Sequence, residues 1–177
     1  MGAIRSEQRG TNTGSVTDLD ALIIGAGFSG LYQLICLRDR LKLSVQVLET
    51  GDDVGGTWYW NRYPGARCDS ESHSYCYFFS KELLEEWEWS ERYPEQPEIM
   101  RYTHHVADKF DLKRDIRFNT RVTTARYDET TNRWAVETES GQRFIATYLI
   151  TAVGCLSSAN IPSIPGLDSF EGDWYHT

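Results

Sequence analysis

The stretch ALIIGAGFSGLY, Ala21–Tyr32, decides the fold. Its apolar first half suits a buried parallel strand. Three glycines follow with the spacing G-x-G-x-x-G, namely Gly25, Gly27 and Gly30. In such a turn the first glycine permits the tight bend, the second lets the backbone approach a pyrophosphate, and the third lets the following helix lie close to the strand. The N-terminus of that helix offers unpaired N–H groups to the phosphates.

The residues after this turn complete a β-α-β unit. Apolar residues recur at positions 31, 34, 35 and 41, which predicts a helix that packs on a sheet. SVQVLE, Ser44–Glu49, predicts a second strand that ends in an acid 19 residues after Gly30. A carboxylate there accepts hydrogen bonds from a ribose 2′-hydroxyl and repels a 2′-phosphate. This site should therefore hold the ADP part of FAD or NAD.

The order of the later elements favours FAD over NAD. KELLEEW predicts a short helix, and Ile99, Tyr102, Val106 and Phe110 form one helical stripe. The segment 115–154 alternates with period two and is broken by DETTN and ESGQ, which predicts a three-strand antiparallel excursion followed by a return strand, YLITAVG. This order is typical of flavoproteins that bind two dinucleotides. The predicted fold class is therefore α/β, a Rossmann-like FAD-binding domain with an antiparallel β-meander excursion.

Composition narrows the functional classes. Residues 1–17 are polar and predict a flexible tail, and residues 18–177 predict one domain. A net charge of −8 argues against nucleic-acid binding. No apolar run reaches membrane-spanning length, no secretory signal opens the chain, and the four cysteines lack zinc spacing. We therefore expect a cytoplasmic protein without a membrane or nucleic-acid partner.

The loop GGTWYWNRYPGARCD, 55–69, has the composition of a ligand-binding segment. Gly55 and Gly56 let the backbone come close to a ligand. The aromatic residues offer flat apolar surface for a ring system, and the arginines offer positive charge for phosphate or carboxylate. These residues are Trp58, Tyr59, Trp60 and Tyr63, with Arg62 and Arg67. Asp69 places an acid two residues after Arg67.

Three motifs carry a resemblance to a known family. GAGFSGLY, ETGDDVGGTWYWNRYPGARCDSES and the closing FEGDWYHT resemble the Baeyer–Villiger monooxygenases, flavoproteins that include cyclohexanone, phenylacetone and steroid monooxygenases. The similarity runs from about Asp18 to the last residue. Of that family's F-x-G-x-x-x-H-x-x-x-W fingerprint, Phe170, Gly172 and His176 match, and the chain ends at Thr177 before the tryptophan.

The resemblance implies an NADPH- and O₂-dependent oxidoreductase. FAD is the tightly bound cofactor, NADPH donates hydride, and a C4a-peroxyflavin converts a ketone to an ester or lactone. By resemblance, Ser29 and Glu49 serve the ADP moiety and the backbone near Val122 borders the adenine. Residues implied along the flavin or near the nicotinamide are Gly56, Thr57, Trp58, Trp60, Arg67, Cys68, Asp69 and Tyr75. The counterpart of Asp69 holds a catalytic arginine by a charge-assisted hydrogen bond, so Asp69 is the predicted catalytic residue.

The family's second G-x-G-x-x-G, its NADPH domain and its catalytic arginine have no match in these 177 residues. We therefore expect residues 18–177 to be the N-terminal portion of the FAD-binding domain of an incomplete two-dinucleotide-binding flavoprotein. This portion should end in the linker to an absent NADPH-binding domain and be inactive alone. Two alternatives stay open, an N- or S-oxidising flavin-containing monooxygenase and a stand-alone, non-catalytic FAD-binding module.

Overall fold

The computed structural model describes residues 16–176. Most of the predicted tail, 1–17, lies outside these residues, and the first strand already begins at Thr17. The strands are β1 Thr17–Ile24, β2 Val45–Leu48, β3 Ile116–Arg117, β4 Val122–Asp128, β5 Arg133–Thr138 and β6 Arg143–Thr151. The α-helices are α1 Phe28–Leu34, α2 Thr57–Trp60, α3 Lys81–Glu86 and α4 Gln96–Lys109. A π-helix, Ile35–Arg40, continues α1. Short 3₁₀ turns lie at Lys113–Asp115 and Leu167–Ser169.

The six strands form one mixed sheet in the order β3-β2-β1-β6-β5-β4. Strands β3, β2, β1 and β6 run parallel, whereas β5 and β4 run antiparallel to their neighbours. At the centre, Ile23 of β1 lies between Val47 of β2 and Ile150 of β6. The mixed α/β sheet agrees with the predicted fold class. Because β1, β2 and β6 are parallel, their carboxyl ends lie at the same end of the sheet.

The predicted strand boundaries in the second half of the chain were partly wrong. The third antiparallel strand and the return strand YLITAVG are one strand, β6. This strand belongs to both parts of the sheet, because one of its edges pairs with β5 and the other with β1. Ala146 pairs with Trp134 of β5 on one edge and with Leu19 of β1 on the other. The segment 115–127 is also split, because Asn119 has a left-handed φ of 51° that turns the chain between β3 and β4.

The helix after the glycine turn is less regular than predicted. Leu31, Leu34 and Ile35 are buried as expected, but Leu41 is 62% exposed. The π-helix Ile35–Arg40 explains the difference, since its wider turn shifts the phase of the apolar stripe before Leu41. Leu41 therefore does not belong to the core.

Helix α4 covers one face of the sheet. Ile99, Tyr102 and Val106 are buried, as the helical stripe predicts, whereas Phe110 lies just beyond the helix at its C-cap and is only partly buried. Pro97 stands in the first turn of α4, where its missing N–H is tolerated. Within residues 16–176, no helix is long and apolar enough to cross a membrane.

Candidate functional site

The glycine turn between β1 and α1 has no room for side chains at two of its three glycines. Gly25 has a φ of +103°, and a Cβ there would lie 2.5 Å from the Ala152 carbonyl oxygen. A Cβ on Gly30 would lie 1.9 Å from the Gly25 carbonyl oxygen. Gly25 therefore permits the turn, and Gly30 permits the close packing of α1 on β1.

Gly27 contacts Gly56 in the loop 55–69, which we call the aromatic loop. Gly56 has a φ of +55°, and a Cβ there would lie 2.8 Å from the Gly27 Cα. Beside this contact, the Gly55 N–H donates to the Ala26 carbonyl at 3.1 Å. Gly27 is the N-cap of α1 and Gly56 is the N-cap of α2. The N-termini of both helices therefore adjoin at a contact made of bare backbone, which we call the Gly27–Gly56 junction.

The junction carries free hydrogen-bond donors. In the part of the chain that the structure describes, the N–H groups of Gly27, Phe28, Ser29 and Gly30 donate to no protein atom. The Ser29 side chain is exposed and also has no protein partner among these residues. Unpaired N–H groups at the positive end of a helix attract an anion. The junction therefore fits a pyrophosphate.

Glu49 lies beside the turn, but it is more buried than a simple ribose ligand would be. It is 6% exposed. Its Oε2 accepts the Ala26 N–H and its Oε1 accepts the Gly51 N–H, both at 2.7 Å. The carboxylate thus fastens the glycine turn to the loop after β2. Each carboxylate oxygen can accept a second hydrogen bond, so acceptor capacity for a hydroxyl is left.

Val122 is brought towards the same corner. The Thr120 N–H donates to the Glu49 carbonyl at 2.8 Å, and Val122 begins β4 two residues later. The side chain of Val122 packs against the cluster that contains Leu48. The glycine turn, Glu49 and the segment that leads to Val122 are distant in sequence and are thus brought near one another.

The aromatic residues of the loop divide into two groups. The Trp58 side chain is buried, and its Nε1–H donates to the Tyr75 hydroxyl at 2.9 Å. Burial raises the pKa of Tyr75, so this phenol stays protonated. Trp60 is 57% exposed and packs edge-on against Tyr59 at a centroid distance of 4.7 Å. Trp58 and Tyr75 are brought together, and Trp60 is not part of their cluster.

The motif Arg67-Cys68-Asp69 places its three side chains in different surroundings. Arg67 forms ion pairs with Glu91 and Glu95. Cys68 is buried, which raises the pKa of its thiol. Asp69 is exposed, and no hydrogen bond or ion pair engages its carboxylate within residues 16–176.

Phe28, which lies inside the glycine turn, was not among the predicted site residues. Its ring lies 5.0 Å from that of Tyr75 and 5.2 Å from that of Tyr77, and its carbonyl accepts the Tyr77 hydroxyl at 2.6 Å. Phe28 therefore joins the glycine turn to Tyr75 and Tyr77, which follow the loop 55–69. The sequence signal for this role was the aromatic side chain of Phe28 between Gly27 and Gly30 of the motif. Thr57 stands at the start of α2, next to Gly56, and is partly exposed.

The fold and this site define a flavin-binding class of protein, and the comparisons with known proteins agree. Residues 20–177 match the flavin-binding monooxygenase-like (FMO-like) family, and the chain belongs to that family.

Among individual relatives, a Baeyer–Villiger monooxygenase of Pseudooceanicola batsensis is 49% identical over 167 residues, which cover 94% of this chain and 31% of that protein. A phenazine N-monooxygenase of Lysobacter antibioticus is 47% identical over 161 residues, which cover 91% of this chain and 30% of that protein.

A solved structure shows the same fold. The oxidized steroid monooxygenase bound to NADP is 54% identical, with a TM-score of 0.80, and the match covers 89% of this chain and 30% of that one. The resemblance to the Baeyer–Villiger monooxygenases is thus confirmed. The chain spans about 30% of the length of the relatives that it matches.

Proposed function

We propose that residues 18–177 are the FAD-binding portion of an NADPH- and O₂-dependent Baeyer–Villiger monooxygenase that converts ketones to esters or lactones. The observation that carries the proposal is the Gly27–Gly56 junction, where two helix N-termini with free N–H groups adjoin beside Glu49. Family membership and 49% identity to a Baeyer–Villiger monooxygenase support it. The remaining length of the relatives would supply the NADPH site.

The residues present fit FAD. The N–H groups of Gly27 to Ser29 would bind the pyrophosphate, and Glu49 would accept a ribose hydroxyl while keeping its two backbone contacts. The segment at Val122 would border the adenine. When bound, FAD with NADPH and O₂ supplies the oxygen atom that is transferred to the substrate. We also propose that the six-stranded sheet is a Rossmann-like FAD-binding fold.

The aromatic loop would hold the flavin end. Trp58, fixed by its hydrogen bond to Tyr75, and Thr57 at the start of α2 would line one side of the ring system. Gly56 leaves the backbone bare between the pyrophosphate and this aromatic surface. Trp60 is exposed and would contact FAD only after a rearrangement, so we place it at the edge of the site.

Asp69 would act by holding an arginine that lies outside residues 18–177. Its carboxylate is exposed and has no partner within residues 16–176, which leaves it free to accept a charge-assisted hydrogen bond from an arginine. An arginine held in this way would stabilise negative charge that develops during oxygen transfer. We place the protein in the cytoplasm, because its four cysteines are free thiols, and we expect no nucleic-acid or membrane partner.

One alternative has specific support. The phenazine N-monooxygenase is nearly as similar to this chain as the Baeyer–Villiger monooxygenase, so oxidation of an aromatic nitrogen is the second candidate function. A stand-alone FAD-binding module is less favoured, since the unpaired Asp69 has no use there.

The full-length protein that contains this chain decides between them. It should be supplied with NADPH, O₂ and, in separate reactions, a cyclic ketone, a thioether and an aromatic N-heterocycle, with products identified by mass spectrometry. We expect an ester or lactone from the ketone. Formation of N-oxide without any ester would favour the alternative, and no oxygenated product from any substrate would favour the stand-alone module.

A further inference from the structure

Asp69 lies in a segment that is clamped to a second, distant segment. Residues 66–72 run beside residues 91–96, with an antiparallel bridge between Arg67 and Glu95. Three backbone hydrogen bonds join the two segments: Gln96 N to Ala66 O at 2.9 Å, Cys68 N to Pro94 O at 3.0 Å, and Ser72 N to Arg92 O at 2.7 Å. We call these paired segments the Asp69 clasp.

Ion pairs cross the Asp69 clasp in both directions. Arg67, on the first segment, reaches to the second segment and pairs with Glu91 and with Glu95, at 2.7 Å in the latter case. Arg92, on the second segment, reaches back to Glu71, and its Nε donates to a carboxylate oxygen at 2.7 Å. Arg67 is two residues before Asp69, and Arg92 holds Glu71, which is two residues after Asp69. The ion pairs thus fix the chain on both sides of this acid.

Three hydrogen bonds hold the terminal nitrogens of Arg67 within the clasp. One terminal nitrogen serves Glu91 and the Tyr93 carbonyl, and the other serves Glu95. Of the four carboxylates in the two segments, Asp69 alone lacks a partner within residues 16–176. The paired glutamates hold the two segments together, and the carboxylate oxygens of Asp69 stay free to accept a hydrogen bond.

The clasp is built for position more than for stability. The side chains of Arg67, Glu91 and Glu95 are 38%, 49% and 52% exposed, and exposed ion pairs add little to the stability of a fold. The planar guanidinium, however, holds two carboxylates in a fixed geometry, which an ammonium group cannot do. The geometric constraint is therefore the main effect of these contacts.

We propose that Arg67 is a positioning residue for Asp69 and does not bind the nicotinamide cofactor. This differs from the expectation that the family resemblance gave for Arg67. The inference rests on the proposed function, because Asp69 must take part in ester formation for its position to matter. Glu91, Glu95 and Arg92 then belong to the same positioning unit, although they lie more than 20 residues away in sequence.

The test compares two ways of opening the clasp in the full-length enzyme. Arg67→Met removes the guanidinium, and Glu91→Ala/Glu95→Ala removes its two carboxylate partners and leaves only its hydrogen bond to the Tyr93 carbonyl. For each variant, the ester formed per NADPH consumed, the hydrogen peroxide released and the KM for NADPH are measured. If Arg67 positions Asp69, both variants lose about tenfold or more of the ester yield, release peroxide instead, and keep the wild-type KM for NADPH.

A cofactor-binding role for Arg67 gives the opposite pattern. Arg67→Met would then raise the KM for NADPH, and the Glu91→Ala/Glu95→Ala variant would keep the wild-type ester yield. Either of these two results overturns the inference. Because the two glutamates are exposed, their variant should fold even if Arg67→Met does not. Flavin content and melting temperature check this for both variants.

Two controls separate the clasp from the function on which it rests. Arg143→Met breaks the exposed pair between Arg143 and Glu137, at 3.0 Å on the β5–β6 hairpin, and should leave all three quantities unchanged. Asp69→Asn should abolish most ester formation. If Asp69→Asn keeps the wild-type yield, the role proposed for Asp69 is wrong. If Asp69→Asn loses the yield and the Glu91→Ala/Glu95→Ala variant does not, only the clasp is wrong.

Discussion

Replacing Gly27 by alanine places a methyl group at the Gly27–Gly56 junction. The backbone tolerates this change, because Gly27 has an ordinary φ of −80° and its Cβ would lie 3.4 Å from the Gly56 Cα. Alanine is a poorer N-cap than glycine, but it also restricts the unfolded chain, so we expect a stability change of about 1 kcal/mol or less.

Binding of FAD should suffer much more. A methyl group at this position would hold the pyrophosphate away from N–H groups that have no other partner. Each lost hydrogen bond to a charged group costs about 1.5–3 kcal/mol, which corresponds to about 10- to 150-fold in affinity. Gly27→Ala should thus fold normally and bind FAD weakly.

Gly30→Ala is the informative comparison, because it should fail for a different reason. Its Cβ would lie 1.9 Å from the Gly25 carbonyl oxygen and 3.0 Å from the carbonyl carbon, and neither backbone atom can move without displacing α1 from β1. Overpacking of this kind costs about 1–3 kcal/mol. Gly141→Ala is a glycine-to-alanine control far from the junction: its φ of +80° adds backbone strain that Gly27 and Gly30 do not have, and nothing lies within 4 Å of its Cβ position.

The assay measures two quantities on the full-length protein, the flavin content after extensive dialysis and the melting temperature of the flavin-free form. We expect Gly27→Ala to lose flavin at a near-normal melting temperature, Gly30→Ala to lower the melting temperature, and Gly141→Ala to keep its flavin. Wild-type flavin retention by Gly27→Ala would refute the assignment of the junction to the pyrophosphate. A wild-type melting temperature for Gly30→Ala would refute the packing argument.

Other consequences can be measured separately. Glu49→Ala should lower both flavin retention and the melting temperature of the apoprotein, because the carboxylate accepts two backbone N–H groups, each worth about 1.5–3 kcal/mol; an unchanged melting temperature would contradict this. Asp69→Ala should keep FAD and melt normally, yet form ester at least about tenfold more slowly, and a wild-type rate would remove Asp69 from the reaction. In the folded 177-residue chain at pH 8, exposed Cys155 should react with a thiol reagent before Cys68, whose pKa is raised by burial so that little thiolate is present; equal rates would argue against that burial. The 177-residue chain alone, supplied with FAD, NADPH, O₂ and ketones, should give no ester above a free-flavin control, and NADPH-dependent ester would show that the catalytic machinery is complete within it.

Local sequence rules predicted the geometry of the glycine turn well. The roles of Gly25 and Gly30 follow from spacing alone, because they depend on neighbours within one β-α unit. The position of Glu49 at the end of β2 follows in the same way. What the pattern could not reveal is that both oxygens of Glu49 accept backbone N–H groups, since a sequence pattern does not specify how an acid is satisfied.

Long-range pairing limited the rest of the prediction. The cofactor contact that the motif predicts for Arg67 stays a prediction. Its ion pairs with Glu91 and Glu95 could not be predicted, because these glutamates lie in a segment without any distinctive pattern. Likewise, nothing in the alternation of residues 143–151 indicates that β6 pairs with β5 on one edge and β1 on the other. The π-helix that exposes Leu41 also has no sequence signature that we could use.

The central claim is that FAD is bound where the N-termini of α1 and α2 adjoin. An experimental structure of the full-length, FAD-loaded protein tests this claim most directly. We predict that pyrophosphate oxygens accept hydrogen bonds from N–H groups between Gly27 and Ser29, and that a ribose hydroxyl donates to Glu49. A flavin bound elsewhere, or a pyrophosphate out of hydrogen-bond reach of this junction, would contradict the account.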